Sequence, residues 1–199
     1  DFLEFENNYI GEIELKSDCK DLSLNNDNLI VKAANYIKEI SNDRKLGANI
    51  FLKKNIPIGA GLAGGSSNAA ATLIGLNKLW DLNLDYETIL TLCAKLGSDV
   101  PFFVNGGCQF CFGRGEILEK YNSKFDYGVI LLKNPNISIS TVDTYKKYSQ
   151  EFCPKYFTET EKTNNIRNNL RINGFNDLKL SEQRIKVKND LQVIVEREN

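Results

Sequence analysis

The chain has no histidine, no methionine, one tryptophan and four prolines among its 199 residues. The missing histidine excludes the most chemistry from this sequence. Ser-His-Asp and Cys-His nucleophile systems, histidine-ligated metals and imidazole general bases all fall together. The missing methionine extends to position 1, which is Asp1, so a processed chain or a piece of a longer one is expected. No apolar run approaches the roughly 20 residues that span a bilayer, and no signal-like stretch marks the start. Charge of one sign is lacking as well: 25 Lys and Arg against 26 Asp and Glu leave a net −1. That balance provides no basic field for a nucleic acid or an anionic membrane. The five cysteines are few, odd in number and scattered, a usage that fits a reducing compartment better than a disulfide framework. Cys108 and Cys111 form a lone C-x-x-C. With no second pair and no histidine, two buried thiols are a better reading than a zinc site.

What is present is 42% hydrophobic and 26% charged, enough for one large domain or two small ones. Tyr9 to Lys16 alternates apolar and polar residues and predicts a strand. Asp27 is a suitable N-cap for a helix whose stripe is Leu29, Ala33, Ile37 and Ile40, broken by Gly47. Ala48 to Lys54 predicts a second strand, and Pro57 to Gly65 a loop of glycine and small residues. Ser66 or Ser67 then caps a helix with Ala69, Leu73, Leu76 and Trp80 inward. Asp85 caps the next, with Tyr86, Ile89, Cys93 and Leu96 inward and Gly97 at its end. Strands are expected at Val100–Val104, Gly107–Phe112 and Tyr127–Leu132. Beyond Ser140 the chain is polar, with helices expected near Val142–Tyr148 and Glu161–Leu170 and a last one begun by Val187, Leu191 and Ile194. Strand runs followed by helix runs predict an α+β protein. The polar stretch around Asn122–Lys124 predicts a boundary, with domains at 1–123 and 124–199.

The chemistry concentrates in the stretch from Pro57 to Ala71. Glycines at 59, 61, 64 and 65 permit positive φ and a close approach of backbone to ligand. The small residues behind them open a helix, whose free N–H groups and positive dipole end make a phosphate site. A flexible linker would not join a strand directly to a capped helix. Gly59-x-Gly61-x-x-Gly64 formally fits a dinucleotide fingerprint, but that fold needs a strand after the helix, ending in an acid for the ribose. Here another helix follows Asp81-Leu82-Asn83-Leu84. No Gly-Lys-Ser/Thr completes a Walker loop. A protein-kinase reading fails for want of the His-Arg-Asp and Asp-Phe-Gly triplets.

The glycine stretch resembles the second motif of the galactokinase, homoserine kinase, mevalonate kinase and phosphomevalonate kinase superfamily. Within it, Gly61-Leu62-Ala63-Gly64-Gly65-Ser66-Ser67-Asn68-Ala69-Ala70 is most similar to the 4-diphosphocytidyl-2-C-methyl-D-erythritol kinase family of the non-mevalonate isoprenoid pathway. The resemblance continues through Asp27-Asn28-Leu29-Ile30-Val31-Lys32-Ala33 and Leu96-Gly97-Ser98-Asp99-Val100-Pro101-Phe102-Phe103. It extends to Asn134-Pro135 with Ser140-Thr141, and so covers nearly the whole chain, in a wording closest to cyanobacterial members. It implies a two-domain small-molecule kinase. The N-terminal domain would share its fold with a ribosomal-protein domain, and part of a ferredoxin-like C-terminal domain would follow. Members also carry a Pro-Ala-Lys-Ile-Asn type strand with a catalytic lysine, and a terminal Gly-Ser-Gly motif. Neither is in this sequence, so the resemblance implies a fragment, expected to be inactive by itself, of a protein of roughly 300 residues.

The resemblance also implies roles. Pro57, Ile58, Gly59, Ala60, Gly61, Leu62, Ala63, Gly64, Gly65, Ser66 and Ser67 would hold the phosphates of ATP. Ser67 is a candidate for the Mg²⁺ sphere, although a helix cap is an equal reading. Asn28, Leu29 and Lys54 would line the adenine pocket; on residue type alone they are a first-turn pair and an ordinary exposed lysine. Asp99 would take the proton of the attacking hydroxyl or orient it; otherwise it caps the turn after Gly97. Tyr145 would stack on cytosine and Thr141 would meet the methylerythritol end of the diphosphocytidyl substrate; otherwise Tyr145 is a core residue of its helix. No nucleic acid or membrane partner is expected, and the cytoplasm is the expected compartment. Other kinases of the superfamily, a non-catalytic nucleotide-binding module and a dinucleotide-dependent oxidoreductase are the competing functions. Ligand-induced thermal stabilisation by ATP-Mg, NAD(H) or oligo-RNA separates these classes.

Overall fold

A computed structural model describes residues 1–121, 128–132, 139–152 and 189–197. They belong to two compact units, Asp1–Asn122 and Ser123–Asn199, which are taken in turn.

The first unit is built on a three-stranded sheet of β1 (Phe2–Asn7), β2 (Ile13–Ser17) and β3 (Ala48–Lys53), in the order β1-β3-β2. β2 and β3 run parallel and are joined through helix α1 (Leu29–Ser41), a βαβ unit, while β1 pairs with β3 antiparallel. The sheet has one wet and one dry face because the sequence alternates. Ala48, Ile50 and Leu52 are buried, and the intervening Phe51 and Lys53 are exposed. The register sets Leu3 opposite Leu52 and Phe5 opposite Ile50 on the dry side, with Glu4 opposite Phe51 on the other.

Helices α1 and α2 (Gly64–Leu79) cover the dry face. Where they pack together the residues are small: Ala33 and Ala34 on one, Ala69 and Ala70 on the other, all fully buried. Leu73, Leu76 and Ile37 fill the remaining space with no exposed surface, each worth about 1.5–3 kcal/mol of burial. Asp85 caps α3 (Tyr86–Leu96) by accepting from Thr88 N at 2.8 Å, and Ile89, Leu92 and Cys93 face inward. A short helix, α4 (Phe102–Asn105), and a hairpin of β4 (Gln109–Phe112) and β5 (Ile117–Lys120) complete the unit.

Several expectations change here. β1 and β5 are additional strands. The cap of α1 is Asn28, whose Oδ1 accepts from Ile30 N at 2.8 Å; Asp27, its neighbour, accepts from Ser23 Oγ instead. α1 ends at Asn42 (φ 56°), five residues before Gly47, and leaves Ile40 41% exposed. Residues 100–104 are a turn and a helix, not a strand, because Pro101 leads the turn and Phe103 N and Val104 N bond back to Val100 O and Pro101 O. Tyr86 is exposed. Cys111 is exposed and Cys108 half-buried, so they are not two buried thiols.

In the second unit, α5 (Thr141–Phe152) buries Thr144, and α6 (Gln192–Glu196) buries Ile194. Arg197 grips the Glu151 carboxylate with Nη1 at 2.9 and 2.8 Å. Residues 128–132 are not in a strand and are well exposed, against the strand expected over Tyr127–Leu132. Asn134-Pro135, the helix at Glu161–Leu170, Cys153, Tyr127, Val187 and the boundary at 122–124 lie outside the described residues. No helix among the described residues is long and apolar enough to cross a membrane.

Candidate functional site

β3 delivers the chain into the glycine stretch. Gly59 (φ 66°), Gly61 (φ 69°) and Ala63 (φ 50°) are all left-handed, so the loop turns sharply without a regular element. α2 begins at Gly64, earlier than a serine cap would place it. Ala63 is the cap position and offers no side-chain bond; the first helical bond is Ser67 N to Ala63 O at 2.9 Å. The N–H groups of Gly64, Gly65 and Ser66 therefore project from the helix end with the positive dipole behind them. Ser67 is inside the first turn, its Oγ donating to Gly64 O at 2.9 Å. That bond uses its proton and leaves oxygen lone pairs for a cation.

Two glycines have distinct jobs. A Cβ on Gly61 would meet nothing within 4 Å, so its position opens onto free space. A Cβ on Gly64 would fall 2.9 Å from Ile56 Cγ2 and 3.3 Å from Lys54 Nζ. Gly61 leaves room for a ligand, and Gly64 lets the helix start against the strand end.

The packing of α1 on α2 brings their N-termini together. Asn28, Leu29, Lys54 and Gly65 line one cavity of about 200 Å³, with Leu22, Ser23, Asp27, Ile30, Leu52 and Asn68. The resemblance implied one nucleotide site for the first four, and the fold makes them neighbours. Asn28 has both ends of its amide engaged, Oδ1 as the helix cap and Nδ2 on Ser23 O at 2.6 Å. It shapes the cavity wall more than it offers a free side chain.

Lys54 is not the ordinary exposed lysine. Its side chain is 8% exposed and pairs with Asp1 Oδ2 at 2.8 Å; it also donates to Ile56 O. Burial pulls its pKa below the ordinary value of 10.5, and Cys19 pulls in the opposite direction. Asn68 donates to the same Asp1 oxygen at 2.8 Å. Asp1 carried no sequence signal, since nothing in its neighbourhood reads as a motif. Asn68 could have been found as the polar residue that follows Ser66-Ser67 into an otherwise apolar face.

Asp99 lies in the turn between α3 and α4 and is exposed. The turn is closed by backbone, Val100 N to Gly97 O at 3.2 Å. Among the described residues the Asp99 carboxylate accepts no hydrogen bond and makes no ion pair, so it is not serving as the cap. Desolvation of the Cys111 thiol pushes it up, with the Asp99 charge a further cause in the same direction, and the hairpin turn brings Gly115 against Ser98. The hairpin thus borders the acid, which the sequence did not indicate. Buried Cys93 is pushed up to about 12 by desolvation, an inert thiol.

Thr141 and Tyr145 stand one turn apart on α5. Tyr145 is 59% exposed, so it is not the core residue; Thr144 takes that place. Among the described residues no three Cys, Asp or Glu side chains cluster as a metal site. A divalent cation at the α2 terminus would thus be held chiefly by phosphate oxygens, with Ser67 Oγ one of the two hydroxyls at the start of the helix.

The family described as "GHMP kinases N terminal domain" matches residues 28–107, the span from the α1 cap to the turn before β4. A 4-diphosphocytidyl-2-C-methyl-D-erythritol kinase of Prochlorococcus marinus subsp. pastoris is 85% identical over all 199 residues, and one from another Prochlorococcus marinus strain is 80% identical. The chain spans 64% of the length of each. Among solved structures, a 4-(cytidine 5'-diphospho)-2C-methyl-D-erythritol kinase superposes with a TM-score of 0.55 at 30% identity, covering 72% of this chain and 49% of that one.

Proposed function

We propose that this chain, whose residues 28–107 match the N-terminal domain of the GHMP kinases, belongs to that family and that its protein is an ATP-dependent small-molecule kinase. The acceptor is the 2-hydroxyl of 4-diphosphocytidyl-2-C-methyl-D-erythritol, in the non-mevalonate route to isoprenoid precursors. The relatives that carry this name match the chain from end to end. One structural observation carries the kinase reading: the uncapped N-terminus of α2, opening beside a glycine with free space in front of it. That arrangement suits the phosphates of a nucleotide.

In this reading, residues 57–67 cradle the phosphates through backbone N–H groups, and Asn28, Leu29 and Lys54 wall the adenine side. Mg²⁺ neutralises the phosphate charge when bound. Asp99 accepts the proton of the acceptor hydroxyl as its oxygen bonds to the γ-phosphorus and the bond to the β-phosphate oxygen breaks, leaving ADP. A carboxylate suits an alcohol that loses its proton late, and an acid with no hydrogen-bond or ion-pair partner among the described residues is free to take it. Thr141 and Tyr145 are assigned to the acceptor, Tyr145 by stacking on cytosine. Residues 1–123 form the ATP-binding domain and 124–199 the beginning of the acceptor domain. The relatives are cyanobacterial, and a reducing cytoplasm suits the free thiols of Cys19, Cys93, Cys108 and Cys111.

The test is turnover by the full-length protein. ADP release that depends on both Mg²⁺ and the diphosphocytidyl alcohol, with one phosphate appearing on the acceptor, is the expected result. ADP release with homoserine or mevalonate and none with the diphosphocytidyl alcohol would move the protein elsewhere in the superfamily.

A further inference from the structure

The glycine loop has little of its own to hold it. Ile58 and Leu62 are its largest side chains, and they are 48% and 41% exposed. Residues 59, 61 and 63 spend their backbone freedom on left-handed turns. A segment with no buried anchor must be positioned from its ends.

Both ends meet at one carboxylate. Asp1 Oδ1 accepts from the backbone N–H groups of Asn55 and Ile56, each at 2.7 Å, where the chain leaves β3. Asp1 Oδ2 accepts from Lys54 Nζ and from Asn68 Nδ2, each at 2.8 Å. Asn68 stands just beyond the first turn of α2, past the other end of the loop. The Asp1 side chain is 3% exposed and Asn68 is 5% exposed. Four donors saturate the lone pairs of one enclosed carboxylate, which is the condition under which a buried charge is retained and rigid.

We propose that Asp1 is a positioning residue for the nucleotide: its carboxylate ties the strand end to α2 and holds Lys54 and Asn68 as cavity wall. It touches no part of the ligand and acts through those two residues and the loop ends. Without it, the buried Lys54 ammonium would keep Ile56 O as its one hydrogen-bond acceptor among the described residues, a state that expels the side chain or strips its proton. The proposal rests on the kinase reading, because it concerns the cavity and loop that reading assigns to ATP.

The experiment uses the full-length protein carrying Asp1→Asn. The shape is kept, but the new amide would turn N–H groups or a weaker acceptor toward Lys54 and Asn68. The dissociation constant for ATP-Mg is expected to rise by about tenfold or more, as for a buried charge deprived of its partner. The KM for the alcohol acceptor should stay within about twofold. Leu3→Ala, in the strand that begins just after Asp1 and packed against the core, is the control for general damage: it should lower the melting temperature without moving ATP affinity. Asn68→Ala removes one of the four bonds and should weaken ATP by about threefold; it carries the test if Asp1→Asn does not fold. ATP affinity unchanged in Asp1→Asn, or in Asn68→Ala where that variant stands in, would overturn the clamp, as would an equal loss in Leu3→Ala. A wild-type protein that binds no ATP-Mg overturns the kinase reading itself, and the clamp with it.

Discussion

The residues assigned to ATP and those assigned to the acceptor sit on very different foundations. Around the glycine loop, each candidate group is attached to an element buried in the core: Asn28 and Leu29 to α1, Gly64 to Ser67 to α2, Lys54 to the end of β3. The helices beneath them have fully buried faces. On α5 the only buried residue is Thr144, and Thr141 and Tyr145 project from an exposed surface. The contrast teaches where preorganisation is built. Phosphates are bound by backbone, which must be fixed in advance by packing. A flat base is bound by a ring that needs only to be presented.

The largest expected effect sharpens this contrast in stability. Leu73→Ala should cost about 2–5 kcal/mol, as for a large aliphatic removed from a closed core. Val142→Ala, at a side chain 77% exposed, should cost under about 0.5 kcal/mol. Urea unfolding of the two variants measures both; similar losses would remove the distinction.

A smaller effect divides the loop itself. Gly61→Val places a β-branched residue at φ 69° and fills the open space, so ATP-Mg binding should weaken by about tenfold or more, while stability falls only by the left-handed strain, about 1–2 kcal/mol. Gly64→Val pushes against Ile56 and Lys54, so binding and melting temperature should fall together. Calorimetric titration beside thermal melts tells the two apart, and equal behaviour would mean that Gly61 is only a turn.

On the acceptor side, Tyr145→Ala should raise the acceptor KM and leave the ATP KM alone. Base stacking is worth about 1–3 kcal/mol, so the rise should be roughly fivefold to a hundredfold or more. Tyr145→Phe keeps the ring and should behave as wild type. Equal changes in both KM values would remove the tyrosine from the acceptor.

The sequence spoke clearly where local chemistry is decisive. A glycine run between an alternating strand and an alanine-rich helix has few other meanings, and Asp85 had one suitable cap to make. It spoke poorly where neighbours compete. Asp27 and Asn28 are both good caps, and only the fold decides that Asp27 answers Ser23 while Asn28 answers Ile30. Val100 to Val104 is a short apolar run of the kind that fits strand or helix, and Pro101 settled it as a turn. The start of α2 was hidden because Ala63, a residue with no capping side chain and a left-handed backbone, holds the cap position. Asp1 was invisible because its four partners come from residues 54, 55, 56 and 68, a convergence only tertiary structure creates.

The most direct test of the account is Asp99→Asn in the full-length protein, measured as kcat beside the dissociation constant for ATP-Mg. The carboxylate is exposed and the turn around it is closed by backbone, so the amide should leave the fold intact. The account predicts a kcat lower by about a hundredfold or more, because the amide cannot take the proton of the acceptor hydroxyl, with ATP affinity unchanged. A kcat within about twofold of wild type would contradict it and leave Asp99 without a role in the chemistry.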